Sequence, residues 1–254
     1  MAVQFISTSS QYMSIAAPRP EFSGVSDYTV TCWLRVPDTF AAAAPQDVWA
    51  FSSGVSAAED RVSGQLFGNT GGFTGSLLSV HEIRRTDGGS AGTNLRFEST
   101  PGQWNRLVFL AYNMTAVSTG QRVMGMGASV GSISSSSSGG GGVHSGPTTA
   151  TASLAASIGA SADGLAKHFD TTVEDLRVYN RVLTDPELRK IGLMRSADQR
   201  SALFDSDMLL NWRLKGGGLV TAEADRVSGV VATAVGAPVY VEIGTRRRRR
   251  NRGG

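Results

Sequence analysis

Cysteine is almost missing from this chain: Cys32 is the single thiol in 254 residues. One cysteine builds neither a disulfide framework nor a thiolate metal cluster, which points to synthesis in a reducing compartment. Histidine is nearly as scarce. His81, His144 and His168 have no close ligand spacing, and no H-E-x-x-H or C-x-x-C pattern exists to assemble zinc. Each of the three reads as a surface or loop side chain. No apolar run approaches the roughly 20 residues that span a bilayer, and the start of the chain lacks the basic and apolar regions of a signal peptide. The expectation is a soluble protein made in the cytoplasm, with no membrane partner and no cofactor. Without an export signal, the Asn113-Met114-Thr115 triplet is a chance match to a glycosylation acceptor.

Charge is low as well, at 18% of residues, and its sign is misleading. The net charge is +3, but Arg246, Arg247, Arg248, Arg249, Arg250 and Arg252 supply six positive charges, which leaves −3 on residues 1–245. The basic character belongs to the tail, so the body has no concentration of cations that would mark a nucleic-acid-binding face. What the chain does have is glycine, at 31 residues, together with serine, threonine and alanine, within a composition that is 41% hydrophobic. That mixture suits many short strands separated by turns, and an all-β chain of this length commonly folds as one unit.

Strand patterns follow one another along the sequence. Val3 to Ile6 and Tyr12 to Ile15 flank the polar Ser7-Thr8-Ser9-Ser10, which predicts a turned strand pair at an edge. Tyr28 to Val36 alternates branched or aromatic with small and polar residues until Pro37-Asp38 stops it. Val48 to Ser52, Gly64 to Phe67, Leu77 to Arg84, Leu95 to Glu98 and Arg106 to Tyr112 are further strands bounded by turn residues. Residues 128–163 are almost wholly Gly, Ser, Ala and Thr, including Ser134 to Ser138 and Gly139 to Gly142. With so little side chain to bury, a long mobile loop is expected at about 128–150. Thr171 to Tyr179 is the next strand. Thr184-Asp185-Pro186-Glu187 then reads as an N-cap and first helical turn, with Leu188, Ile191 and Leu193 or Met194 as the apolar face. Strands return at Met208 to Leu214, Val227 to Val235 and Val239 to Ile243. The expected organisation is one antiparallel two-sheet β-sandwich over residues 1–245, carrying one short helix, followed by an Arg-rich tail at 246–254.

The run from Thr172 through Arg177-Val178-Tyr179-Asn180-Arg181 to Thr184-Asp185-Pro186-Glu187-Leu188 resembles the late strand-turn-helix signature of laminin-G-like, concanavalin A-like jelly rolls. Tyr28 to Pro37 looks like the early Trp-containing core strand of that family, and Gly102-Gln103-Trp104-Asn105-Arg106-Leu107-Val108 looks like its G-x-W-x-x-V strand start. Asn105 stands where the family commonly has His, and Gln121 to Gly127 stands where a Y-x-D-G hairpin is usual. Phe5 to Ile15 and Met208 to Leu214 also look like laminin-G-type proteins encoded among tailed-phage structural genes. The resemblance implies an all-β jelly roll and a virion structural protein.

Related jelly rolls often host glycoside hydrolysis, which needs two carboxylates flanking the scissile bond. No E-x-D-x-E or E-x-D-x-x-E occurs, and the adjacent Glu174 and Asp175 of a regular strand point to opposite faces. No catalytic residue is assigned, and the chain reads as a non-enzyme. In that strand Val173, Asp175, Arg177 and Tyr179 share one face and Glu174, Leu176 and Val178 the other, so Asp175 and Arg177 would pair on one surface. Asp205 and Asp207 offer hard oxygen ligands for calcium, against the plainer reading of a solvated acidic loop. Sugar stacking at a rim would fall to Trp49, Phe73 or Trp104. Core packing is the expectation for Trp33, Trp104 and Trp212, with Trp49 left open.

The arginine tail has no use in a core. Its guanidinium forks pair bidentately with carboxylate or phosphate, so Arg246, Arg247, Arg248, Arg249, Arg250 and Arg252 read either as a solubilising tail or as an anchor on an acidic partner. The leading expectation is a capsid decoration or cementing protein of a tailed phage. It would be made in the host cytoplasm and held on other virion proteins, foremost the major capsid protein, and on copies of itself. The alternative is a carbohydrate-binding, lectin-like module or phage adhesin with a glycan as partner. Nucleic acid is the less favoured partner of the tail.

Overall fold

The computed structural model describes residues 2–15, 28–35, 46–52, 61–68, 75–83, 90–98, 107–114, 122–126, 133–136, 155–161, 164, 166–168, 170, 172–193 and 205–241. The short apolar runs become strands in chain order: β1 (Ala2–Gln4), β2 (Tyr12–Ile15), β3 (Tyr28–Arg35), β4 (Gln46–Ser52), β5 (Arg61–Gly68), β6 (Gly75–Ile83), β7 (Ser90–Glu98) and β8 (Leu107–Met114). They continue as β9 (Arg122–Met126), β10 (Ile133–Ser136), β11 (Ala155–Ile158), β12 (Thr172–Tyr179), β13 (Met208–Trp212), β14 (Ala222–Ala224), β15 (Val231–Val235) and β16 (Val239–Val241). One α-helix, α1 (Asp185–Leu193), follows β12.

The strands form two antiparallel sheets. The first runs β10-β9-β8-β3-β12-β1-β16, with β13 also paired to β12, and the second runs β14-β15-β2-β11-β4-β5-β6-β7. Alternate side chains of the two inner faces meet in one core. Val30, Cys32, Val173, Leu176, Val178, Leu210 and Trp212 come from the first sheet, and Met13, Ile15, Trp49, Phe51, Ala156, Ile158 and Ala232 from the second.

Several expectations are corrected here. β1 and β2 do not pair with each other; they lie in different sheets, and neither is an edge strand. The polar stretch between them, with a 3-10 turn at Ser7–Ser9, carries the chain across the sandwich. Within the stretch read as loop, Ile133–Ser136 pairs with β9, and beyond it, in the same Gly-, Ser-, Ala- and Thr-rich run, Ala155–Ile158 lies between β2 and β4. Low side-chain volume does not prevent pairing, because the ladder is made by backbone groups and small residues suit crowded interior positions. The rest of residues 128–150 lies outside the described residues, as do Met194 and the side chain of Leu193 among the apolar-face candidates.

Trp49 is settled as a core residue. Its ring packs 5.5 Å, centroid to centroid, from that of Phe51 and is 3% exposed. The room it needs comes from Gly64 on β5, where a Cβ would stand 2.6 Å from the indole. Trp33 and Trp212 are also buried, as expected. Replacing Gly64 with alanine should overpack this contact and cost about 1–3 kcal/mol, read as a lower midpoint in urea unfolding with an unchanged slope.

Candidate functional site

β12 is the strand on which the local chemistry is most concentrated, because it has neighbours on both sides. It pairs with β3 along its length, while its other side pairs first with β1 through Val3↔Val173 and then with β13 through Leu176↔Trp212. At that change of neighbour the strand carries one extra residue: Glu174 faces Trp33, but Arg177 already faces Thr31. The bulge places Asp175 at φ 56°, a left-handed conformation that Asp tolerates better than most residues. Its amide donates to the Arg213 carbonyl at 3.0 Å.

The bulge resets the pleat, so the regular alternation expected for β12 does not hold. Val173 enters the core before the bulge, and Leu176 and Val178 enter it afterwards. Asp175 and Arg177 do pair, with Nε donating to Oδ1 at 3.0 Å, but in the interior rather than on a surface. The Arg177 Nη1 also donates to the Tyr179 hydroxyl at 3.4 Å. Burial opposes the guanidinium charge; Asp175 and the hydroxyl outweigh it and hold Arg177 above its ordinary range. The Cys32 thiol is pushed far up by burial and, secondarily, by the Asp175 charge, so it is not a nucleophile in the folded protein. Glu174 is buried as well, which removes both members of the adjacent acid pair from any open cleft.

A second network ties the turn after β12 to α1. Arg181 takes both Glu187 carboxylate oxygens, at 2.8 and 3.0 Å, and its Nε donates to Asp207 Oδ2 at 2.8 Å. Glu187 Oε2 also accepts the Thr184 amide at 2.7 Å and the Thr184 hydroxyl at 2.8 Å. The expected N-cap is therefore present with the roles adjusted: the carboxylate three residues on reaches back to the cap. Arg181 first, and then Thr184, hold the Glu187 carboxyl down at about 2, despite partial burial. Thr29 on β3 closes the loop, accepting the Leu183 amide and donating to the Arg181 carbonyl, both at 2.9 Å. Asp207 is thus engaged by an arginine, and the Asp205 side chain lies outside the description. Among the described residues no group of three or more His, Cys, Asp or Glu side chains is placed to hold a metal.

The third feature is a small rim over the outer side of the second sheet. The Ser157 hydroxyl donates toward the carbonyls of Ala160 at 2.6 Å and Ser161 at 2.8 Å, which folds the segment after β11 back over the sheet. Gly164, at φ 73°, lets that segment lie against the Tyr12 ring, where a Cβ would come within 2.5 Å. The half-buried rings of Tyr12 and His168 stand 5.8 Å apart, and Lys167 lies 3.8 Å from the buried Asp47. Sequence reasoning missed this pair, since neither residue sits in a motif. His168 does lie at a loop, as expected. The side chains of His81, His144, Phe73 and Trp104, and the tail arginines, lie outside the description.

The last feature is apolar exposure. Leu219, Val227, Val231, Val235 and Val239 are between 36% and 59% exposed, all within the final strands and their connections. The turn between β14 and β15 is pinned by the buried Asp225, which accepts the Asn211 amide and, from Ser228, both the amide and the hydroxyl.

Residues 7–189 match the concanavalin A-like lectin/glucanases superfamily, Laminin_G_3, over more than two thirds of the chain. This chain belongs to that family. Its fold is also similar to a Bacteroides ovatus protein described as carbohydrate binding, at a TM-score of 0.56 and 16% identity, covering 95% of this chain and 61% of that one. The full-length tailspike protein 2 of an Escherichia coli bacteriophage is similar at a TM-score of 0.56 and 12% identity, over 84% of this chain and 28% of the tailspike. The enzymatically active domain of that tailspike gives a TM-score of 0.53 and 11% identity over 76% of this chain and 27% of that one. The chain thus spans about three fifths of the first of these proteins and about a quarter of the tailspike. No curated protein matches the sequence. Among the described residues no helix is long and apolar enough to cross a membrane.

Two outcomes are expected from the polar networks. Asp175→Asn keeps a side chain suited to the left-handed backbone but removes the counter-charge of a buried guanidinium. It should cost about 3 kcal/mol, and adding Arg177→Met should restore part of the loss, both read by chemical unfolding. Glu187 has its folded pKa below the usual carboxylate value, so its stabilising contribution is present above about 4.5 and is lost as pH falls toward about 2. Stability measured across that window should fall less steeply for Glu187→Gln than for the unchanged protein.

Proposed function

We propose that this chain is a non-catalytic structural component of a tailed-phage particle, most consistent with a protein that decorates or cements the head. Its partners in this reading are other virion proteins, foremost the major capsid protein. The observation that carries the reading is the position of the exposed apolar surface. Val231 and Val235 of β15 and Val239 of β16 are exposed, as is Leu219, which bridges to Val239, in the stretch of chain that leads to Arg246. Exposed apolar side chains offer contacts to a partner, and six arginines beyond them supply forks for carboxylates on a neighbour. The likeness in fold to a phage tailspike supports a place in the virion. The non-catalytic part of the reading is supported by what the acids do: Asp175, Glu187, Asp207, Glu223 and Asp225 are all bonded within the fold.

A glycan-binding module is the second reading, favoured by the half-buried Tyr12 and His168 ring pair on one rim and by the Bacteroides protein described as carbohydrate binding. An aromatic face beside polar loop groups is what sugar stacking requires.

Cosedimentation separates the two. The full chain is expected to pellet with head shells of the phage that encodes it, and a chain ending at Thr245 to pellet less. If neither form pellets with heads or tails and a glycan array gives specific binders lost in Tyr12→Ala, the structural reading falls and glycan recognition replaces it.

A further inference from the structure

Residues 215–241 are joined to the sandwich differently from the rest of the chain. The chain leaves the core at Leu214, which is fully buried, and passes through the exposed Lys215 into Gly216-Gly217-Gly218. A Cβ at Gly217 or Gly218 would meet nothing within 4 Å, so packing does not require glycine there. The run is a hinge, a stretch of backbone without side chains to restrict it. Among residues 215–241 only Val220, Asp225, Ala232 and Pro238 are buried, whereas all 8 residues of β12 are.

Past the hinge the segment is bonded within itself. β14 pairs with β15, and Leu219 bridges to Val239 of β16. The Tyr240 amide donates to the Gly218 carbonyl and the Ala234 amide to the Thr221 carbonyl, both at 2.9 Å. The Tyr240 hydroxyl donates to Glu223 Oε2 at 2.8 Å, which ties the strand that joins the first sheet to one that joins the second. Two short ladders hold the segment to the body: β15 on β2, from Tyr12↔Val235 to Ile15↔Ala232, and β16 on β1, from Ala2↔Val241 to Gln4↔Val239. Pins are added where the Asn211 amide donates to Asp225, and where Gln11 Nε2 donates to the Ala237 carbonyl at 3.2 Å.

We propose that residues 215–241 form a clasp that opens and closes as one unit while the rest of the sandwich stays folded. The free energy of local opening follows the buried apolar contacts that are lost, and cooperative units coincide with supersecondary motifs bonded within themselves. This segment has few of the former and is one of the latter. Closed, it covers one edge each of β1 and β2. Open, it uncovers their backbone groups, the template with which a strand of another chain pairs. The clasp is the gate on those two edges. This inference concerns the free chain and does not rest on a place in a phage particle.

Native-state hydrogen exchange of the full chain, followed by mass spectrometry along a denaturant series below the unfolding midpoint, tests it. Amides of Val231–Val235 and Val239–Val241 are expected to exchange through one shared opening, about tenfold or more faster than those of Thr172–Tyr179. Their denaturant dependence should be the shallower, because clasp opening exposes little surface. Asp225→Ala removes the carboxylate that pins Asn211 and should speed clasp exchange by about tenfold. Val178→Ala lies in β12, which pairs with none of the clasp strands. It should speed β12 exchange by about tenfold and leave clasp exchange unchanged, because the cavity it makes is present whether the clasp is open or closed. The proposal is overturned by clasp amides that exchange at the β12 rate and slope, that follow β12 when Val178 is truncated, or that ignore Asp225→Ala. The rates and slopes of the unchanged chain decide the matter even where a variant fails to fold.

Discussion

The bulge at Asp175 is the constraint on which the first sheet depends. β12 must serve β3 on one side and two successive strands, β1 and β13, on the other. One extra residue at the changeover lets the strand keep apolar side chains inward on both sides of the break, with Val173 ahead of it and Leu176 and Val178 after it. The same residue leaves a carboxylate and a guanidinium inside the protein. A buried charge is tolerable only with its counter-charge and hydrogen bonds in place, and here they are: Asp175 takes the Arg177 Nε and its own amide bonds Arg213. Such a pair contributes more to register than to net stability, because a slip by one residue would separate the two charges in a low-dielectric interior.

Around that strand, charged and polar groups are used mostly to fix connections. Arg181, Glu187, Thr184 and Thr29 lock the turn into α1, and Asp225 locks the turn into β15. Gln11 does the same for the first crossing between sheets, accepting the Ile6 amide at 2.9 Å and donating to the Ala237 carbonyl at 3.2 Å. The result is a sandwich in which Glu187, Asp207 and Asp225 hold connections in place, while β15 and β16 turn valine outward.

Much of this could be read from the residues. The alternation in Tyr28 to Arg35 and the Thr184 to Leu188 cap are local patterns, and each forms as its pattern requires. The fate of Trp49 was not legible, because a tryptophan in a strand is compatible with either a rim or a core; Gly64, from a different strand, makes the room that buries it. Nor was the strand Ala155–Ile158, whose small side chains carry no periodic signal and which is held by neighbours far away in sequence. The Tyr12 and His168 rim escaped for the same reason, since it joins residues more than 150 positions apart.

The sequence by itself determined the strand-rich class, the family signature around Tyr179 to Leu188 and the concentration of positive charge in the tail, because each is a property of adjacent residues. Only the tertiary structure decided the sheet to which each strand belongs, the inward turn of Asp175 and Arg177, and the outward turn of Val231 and Val235. A strand offers two faces of equal geometry, and which one meets the core is set by pairing partners remote in the chain and by the single extra residue that reverses the alternation.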